Sequence, residues 1–210
     1  MRSHARIATA ALLASLLLSG CASLSESQCM AGDWQTVGYR DGLAGHQSAQ
    51  LLTHQNACGK HGVVPDRTAY LNGWEEGVDR YCQPTNGFLL GERGAGYTNV
   101  CPVHQQAAFY SAYQEGRQLH LANVEITQLN RSITEKTNRL KSIAAERSSA
   151  EAALVDDTTS AHERRELLDL TRELTREEGQ LQAEIQEQKI DVALKTERLK
   201  LLRESLIASY

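Results

Sequence analysis

Aromatic residues make up only 5% of these 210 residues, with two tryptophans and two phenylalanines. A thick core draws heavily on such side chains, so one compact fold over the whole length is disfavoured and much of the chain is expected to be slender. Proline is scarce, at three residues, which leaves long stretches with nothing to break a helix. Basic charge is short as well: 22 Lys and Arg stand against 26 Asp and Glu, a formal net charge of −4. No cationic cluster stands out, so nucleic acid is not expected as a partner, and neither is an anionic surface held by charge alone.

What is present is clearest in the second half. Ile126, Leu129, Ile133, Leu140, Ile143, Ala150 and Leu154 follow an alternating three-and-four spacing, interrupted by Lys136 and Arg147. A second seam runs through Leu167, Leu170, Leu174, Leu181, Ile185, Val192, Leu199, Leu202 and Leu206, with Glu178, Gln188 and Lys195 between. These are heptad patterns. Leu170, Leu174 and Glu178 are two successive steps of four beside Gly179, which locally unwinds a supercoil. Between the seams Asp156 to Ser160 breaks the pattern, and Ser160 with Glu163 has the spacing of a capping box. Residues 103–210 are therefore expected to form an antiparallel coiled-coil hairpin turning near 156–160, each helix about 75 Å long. Such a hairpin serves as a spacer, a self-association element or a grip for a partner protein.

The N-terminus carries Arg2, His4 and Arg6, then an apolar run from Ile7 to Leu18, the layout of an export leader and too short for a comfortable membrane span. It ends Leu17-Leu18-Ser19-Gly20-Cys21, which resembles the lipobox of bacterial lipoproteins. The resemblance implies a leader over 1–20, acylation of Cys21 with palmitate-like chains, and a lipidated linker over 21–31. Ala22 follows the cysteine, and the absence of Asp there implies the periplasmic face of the outer membrane. Several acyl chains on one residue hold far more firmly than one.

Export leaves Cys29, Cys58, Cys82 and Cys101, an even set in an oxidising compartment, so two disulfides are the default. Of three connectivities, Cys29 with Cys58 and Cys82 with Cys101 is favoured because it closes short loops. The competing use of Cys58 is a metal site with His61, but no second close pair accompanies it. No metal and no cofactor are expected.

Residues 32–102 read as a small helical, Gly-rich, disulfide-braced domain. Gly38-Tyr39-Arg40-Asp41-Gly42, Gly73-Trp74-Glu75-Glu76-Gly77 and Ala112-Tyr113-Gln114-Glu115-Gly116 share one pattern of small, aromatic, any, acidic, Gly. Small residues four apart lie on one helical face, where another backbone can approach closely. The stretches His54 to Pro65 and Cys82 to Pro102 are expected to be turn-rich links, the second too irregular for a helix. Three segments, Asp33 to Gly45, Tyr81 to Phe88, and Gly96-Tyr97 with Val100-Cys101-Pro102, resemble the bacterial family catalogued as domain of unknown function 2799. The resemblance spans roughly 29 to 119, implies an envelope lipoprotein, and carries no catalytic residues with it.

The fold class expected is therefore all-α: a disulfide-braced helical head followed by a long coiled-coil hairpin. No nucleophile setting is recognisable, so no catalytic residues are assigned and a non-enzymatic structural or protein-interaction role is expected. The alternatives are a head that binds peptidoglycan or another glycan, and an unrecognised hydrolase. Trp34, Tyr39, Trp74 and Tyr97 are the candidate aromatic platform; Asp41 and Glu76 are the candidate ligand-facing acids, with Glu115 at the same repeat position.

Overall fold

In the computed structural model residues 24–207 are described, so the proposed leader and Cys21 lie outside the described residues. These hold seven helices and no strand: α1 Glu26–Ala31, α2 Trp34–Leu43, α3 Gln50–Gly59, α4 Arg67–Tyr81, α5 Pro84–Glu92, α6 Val103–Leu154 and α7 Ala161–Ile207. The chain is all-α, with a disulfide-braced helical part and a long helical hairpin. Short polar residues start the helices. The Ser25 and Gln28 side chains form a capping box on α1, Asp33 accepts from Thr36 N (3.1 Å) at α2, and Asp66 accepts from Ala69 N (3.0 Å) at α4. α1 lies within the segment read as a linker, and buries Cys29.

The chain divides into two compact units, Met1–Gly87 with Gly96–Ser111, and Phe88–Ala95 with Ala112–Tyr210. In the first, Cys29, Trp34, Cys58 and Tyr70 form a buried cluster, with Val37, Leu51 and Leu71 packed around it. Cys29 is bonded to Cys58, and Cys82 to Cys101. Cys58 is therefore no metal ligand. α2 crosses α4 at backbone contact. A Cβ built on Gly38 would land on the Tyr70 carbonyl, and one on Gly42 would land on that of Trp74. Reciprocally, Gly73 faces the Gln35 carbonyl and Gly77 that of Tyr39. The repeated glycines are thus the surface on which two helices meet, close enough for Cα–H to carbonyl contacts.

The expectation for Cys82 to Pro102 is corrected here: α5 occupies Pro84–Glu92. Pro84 stands at its first position, where a missing N–H costs nothing. Gly87 and Gly91, which made the stretch look irregular, are packing residues. Gly87 abuts the Phe109 carbonyl; in the second unit Gly91 abuts that of Tyr113, and Gly116 abuts that of Phe88. Likewise α3 covers much of the link expected from His54. The recurring pattern is consequently a pair of helices used twice. Gly38, Gly42 and Gly45 reappear as Gly87, Gly91 and Gly94, while Gly73, Gly77 and Tyr81 reappear as Ala112, Gly116 and His120. Gly45 (φ +74°) ends its helix against the Tyr81 ring, and Gly94 (φ +70°) ends its own against the His120 ring.

The second unit contains the hairpin. Ile143, Ala150, Leu174 and Ile185 are buried in its seam, and most other seam residues are half-buried. The polar interruptions pair across it. Lys136 meets Glu184 (2.8 Å), Arg147 meets Glu178, Lys195 meets Glu125 (3.0 Å), and Gln188 donates to Ser132 Oγ (3.0 Å). Arg139 forks onto both oxygens of Glu177 at 2.8 Å. Along Glu125, Ser132, Lys136 and Arg147 the partners run back through Lys195, Gln188, Glu184 and Glu178, so these pairs fix the antiparallel register. At the turn Ser160 N donates to Glu163 Oε2 (2.8 Å) and Glu163 N to Ser160 Oγ (3.3 Å), the expected capping box. The Arg164 guanidinium closes the end of α6 by donating to the carbonyls of Leu154 (2.8 Å), Asp156 (2.7 Å) and Thr159 (3.1 Å). Leu170, placed in the seam by its spacing, is instead 41% exposed.

Candidate functional site

The most polar interior point of the first unit is Asp41 on α2. Its Oδ2 accepts from His54 Nε2 on α3 (2.7 Å) and from the Tyr70 hydroxyl on α4 (2.7 Å), and His46 Nδ1 lies 3.5 Å from Oδ1. Tyr70 is fully buried and His54 is 2% exposed. Burial by itself would raise the Asp41 carboxyl; the hydrogen bonds from His54 and Tyr70 outweigh it and hold the group below its ordinary value. Tyr70 moves the opposite way: burial, then the bond to Asp41 and its charge, push the phenol far above the usual tyrosine range. A carboxylate can only accept, so Nε2 of His54 carries the shared proton, and Nδ1 is buried with no partner among the described residues.

A catalytic His–Asp pair turns the second ring nitrogen toward a nucleophile or substrate. Here that nitrogen faces the core. What the arrangement does chemically is tie three helices to one charge: a hydrogen bond to an ionised group contributes about 1.5–3 kcal/mol when both partners are held.

Two shallow hollows open on the surface of the same unit. One, of about 300 Å³, is lined by Asp33, Gln35, Thr36, Tyr39 and Glu76. The other, of about 460 Å³, is lined by Trp74, Val78, Val100 and Pro102 with Glu75, Asp79 and His104. Residues 33–118 match a family described as "Protein of unknown function (DUF2799)". This segment is a DUF2799 domain. No curated protein and no solved structure is significantly similar to the chain.

Within the DUF2799 domain the candidate ligand-facing residues separate. Trp34, 5% exposed, belongs to the core beside the Cys29–Cys58 disulfide and is corrected from ligand-facing to structural. A large aromatic side chain next to a disulfide fills the space that such a core needs. Asp41 is engaged by His54 and Tyr70 rather than turned to solvent. Trp74 is half-buried, donates its indole N–H to the His46 carbonyl (2.8 Å), and presents its remaining surface to the larger hollow. Tyr39 and Glu76 line the smaller one, where Glu76 accepts from Gln35 at 3.4 Å. The partners missed by sequence reasoning are His54 and Tyr70. They lie 13 and 29 residues from Asp41, on separate helices, and no local spacing signals them.

Beyond the DUF2799 domain, a third feature lies on the hairpin near its turn. Two adjoining hollows of about 530 and 450 Å³ share Leu167 and Leu170 as walls. α6 presents small side chains there, among them Ala145, Ala150 and Ala153, which cannot reach the leucines. This is why Leu170 is exposed despite its heptad spacing, and it coincides with the steps of four on α7.

Proposed function

We propose that this protein is a non-enzymatic docking lipoprotein of the cell envelope. Cys21 bears the lipid that holds it on the periplasmic face of the outer membrane, the DUF2799 domain is the disulfide-braced base, and the hairpin is the element that engages a protein. The observation that carries this reading is the apolar groove of Leu167 and Leu170 on the hairpin. Two helices that hide most of their seam from water leave Leu167 and Leu170 open along this groove, and full burial of a Leu is worth roughly 1.5–3 kcal/mol. The lipobox-like Leu17 to Cys21 supports the anchor, and the oxidised cysteines suit an exported protein.

In-cell photocrosslinking from positions along the hairpin tests the docking role: capture of a discrete protein species at the groove is expected, and its absence at every position refutes it. Metabolic labelling with an acyl probe tests the anchor, which Cys21→Ser abolishes.

A second reading, glycan binding, is favoured by one feature, the hollow that sets Trp74 beside Glu75, Asp79 and His104. Co-sedimentation with purified cell-wall sacculi decides it. Binding lost in Trp74→Ala supports this reading, and equal sedimentation of both proteins removes it.

A further inference from the structure

The larger hollow of the first unit joins an apolar wall to an acidic rim. Trp74, Val78, Val100 and Pro102 form the wall, and Glu75, Asp79 and His104 supply the polar side chains. All of them belong to the one unit. The Trp74 indole has a single polar atom, already engaged by the His46 carbonyl at 2.8 Å, so the ring offers the hollow only its carbon surface. Glu75 is exposed and has no hydrogen bond or ion pair among the described residues. Asp79 Oδ1 accepts from Gln105 Nε2 at 2.7 Å, and a neutral amide leaves the carboxylate its charge. No Lys or Arg lines the hollow. On α4, Arg80 stands two residues from Val78, which turns it to another side of the helix; Arg67 is seven residues before Trp74, about 10 Å along the axis. The other walls, residues 96–102 and the start of α6, hold neither type before Arg117.

We propose that this hollow binds an alkylammonium group: a protonated primary amine at the end of an aliphatic stem, as a free diamine or a lysine side chain carries. Each part of such a ligand is matched. The cationic head lies between Glu75 and Asp79 and beside the indole ring, whose π-electrons attract cations. The stem covers Val78, Val100 and Pro102, and a hollow of about 460 Å³ has room for it. Other ligand classes match in part. An anion is repelled by the rim. A neutral sugar leaves both carboxylates uncompensated, and it brings to the wall hydroxyls that would lose their water partners there without gaining others. The inference concerns the hollow that favours the glycan reading, and rests on that choice of site but not on sugar recognition.

The test uses the full chain, purified in detergent with 5-fluorotryptophan at its two tryptophan positions and observed by fluorine NMR. The Trp74 resonance is the one that Trp74→Phe lacks, and buried Trp34 reports on folding. The titration is run at about pH 8, where alkylamines are still protonated. Adding 1,5-diaminopentane is expected to shift the Trp74 resonance saturably and leave that of Trp34 in place, whereas the neutral 1,5-pentanediol moves neither. Glu75→Gln is expected to weaken binding about threefold, as loss of one exposed charge pair does, and Glu75→Gln combined with Asp79→Asn about tenfold. A Trp74 resonance that ignores the diamine, follows the diol equally, or responds undiminished in the doubly neutralised variant overturns the proposal. A short lysine peptide in place of the diamine separates the two sources: tighter binding assigns a peptide-borne lysine, weaker binding a free diamine. The two readings of the hollow also fail separately. Sacculi that sediment with the protein while the diamine is ignored leave the glycan reading standing and remove the amine; a diamine response without sedimentation does the reverse.

Discussion

Replacing Gly42 by Ala probes the main structural claim about the head, that α2 and α4 meet backbone to backbone. The added Cβ would strike the Trp74 carbonyl, and Val78 N lies 2.7 Å from it. Both are backbone atoms in the middle of a helix, so neither can rotate aside as a side chain could. Two terms oppose each other. Ala is favoured over Gly inside a helix by about 1 kcal/mol. Overpacking a well-fitted contact costs typically 1–3 kcal/mol, and a rigid neighbour puts this case at the upper end. The clash wins, and the net loss is about 2 kcal/mol. For a domain of this size that lowers the melting temperature by roughly 8–16 °C. Trp34 and Trp74 both lie in the first unit, so thermal unfolding followed by tryptophan fluorescence reports on the head alone. Gly179→Ala supplies the control: it sits inside α7 with nothing within 4 Å of a built Cβ, so it gains the helical preference without a clash. It is expected to stabilise the hairpin by about 1 kcal/mol, read by far-ultraviolet circular dichroism. A Gly42→Ala protein that melts at or above the wild-type temperature refutes the close crossing.

Four further outcomes follow from the same geometry. Asp41 is held below the ordinary aspartate range by the hydrogen bonds from His54 and Tyr70, so its ionised form favours the folded state. Its contribution is complete above the unfolded carboxylate range and is lost as pH falls through the lower folded value; the acid-unfolding curves of wild type and Asp41→Asn should therefore diverge above about pH 4 and converge below it, and parallel curves would count against the arrangement. Tyr70→Phe removes one charged hydrogen bond from the buried trio and is expected to cost about 1.5–3 kcal/mol in urea unfolding. The Cys29–Cys58 bond spans 29 residues and Cys82–Cys101 spans 19, so replacing each pair by Ala should cost about 3.5 and about 3 kcal/mol respectively in the chain-entropy account. Arg164→Ala leaves three carbonyls at the hairpin turn without their donor; amide exchange over the last turn of α6 should quicken, with about 1–2 kcal/mol less protection, while exchange around Ile143 stays unchanged.

The hairpin was legible because its signals are local and periodic. Heptad spacing, the break at Asp156 to Ser160, and a capping box whose members are three apart each depend on neighbours in sequence. The glycine repeat was half legible. Its residues were identified and their purpose, a close helix crossing, was correct in kind. The fourth member was missed because Gly87, Gly91 and Gly94 lie among Pro84, Asn86 and Gly96, where local propensity favours turns and only the facing α6 backbone makes a helix worthwhile. Leu170 shows the reverse failure: its heptad position is correct, yet its exposure depends on how small the opposing α6 side chains are, which no single-helix pattern reports. The Asp41–His54–Tyr70 trio could not be read at all, because three helices must fold before its members meet.

Comparison of the two glycine crossings bears on what that trio is for. In the register that matches Gly38 with Gly87 and Gly73 with Ala112, Asp41 corresponds to Leu90 and Tyr70 to Phe109. Phe109 is buried, at 1% exposure, and Gly87 still meets its backbone. A crossing of this kind is therefore built without any buried charge, and taking a carboxylate partly out of water carries a desolvation cost that an apolar pair avoids. The first pair differs from the second in having α3 between its two helices, where the second has only the loop after Glu92. α3 supplies both His54 and Cys58. One end of its attachment is covalent, through Cys29 on α1; the other is the hydrogen bond to Asp41, whose direction admits one orientation of the helix where an apolar contact would admit several. On this argument the polar trio orients α3, and the surface that α3 and its neighbours present is the property it maintains.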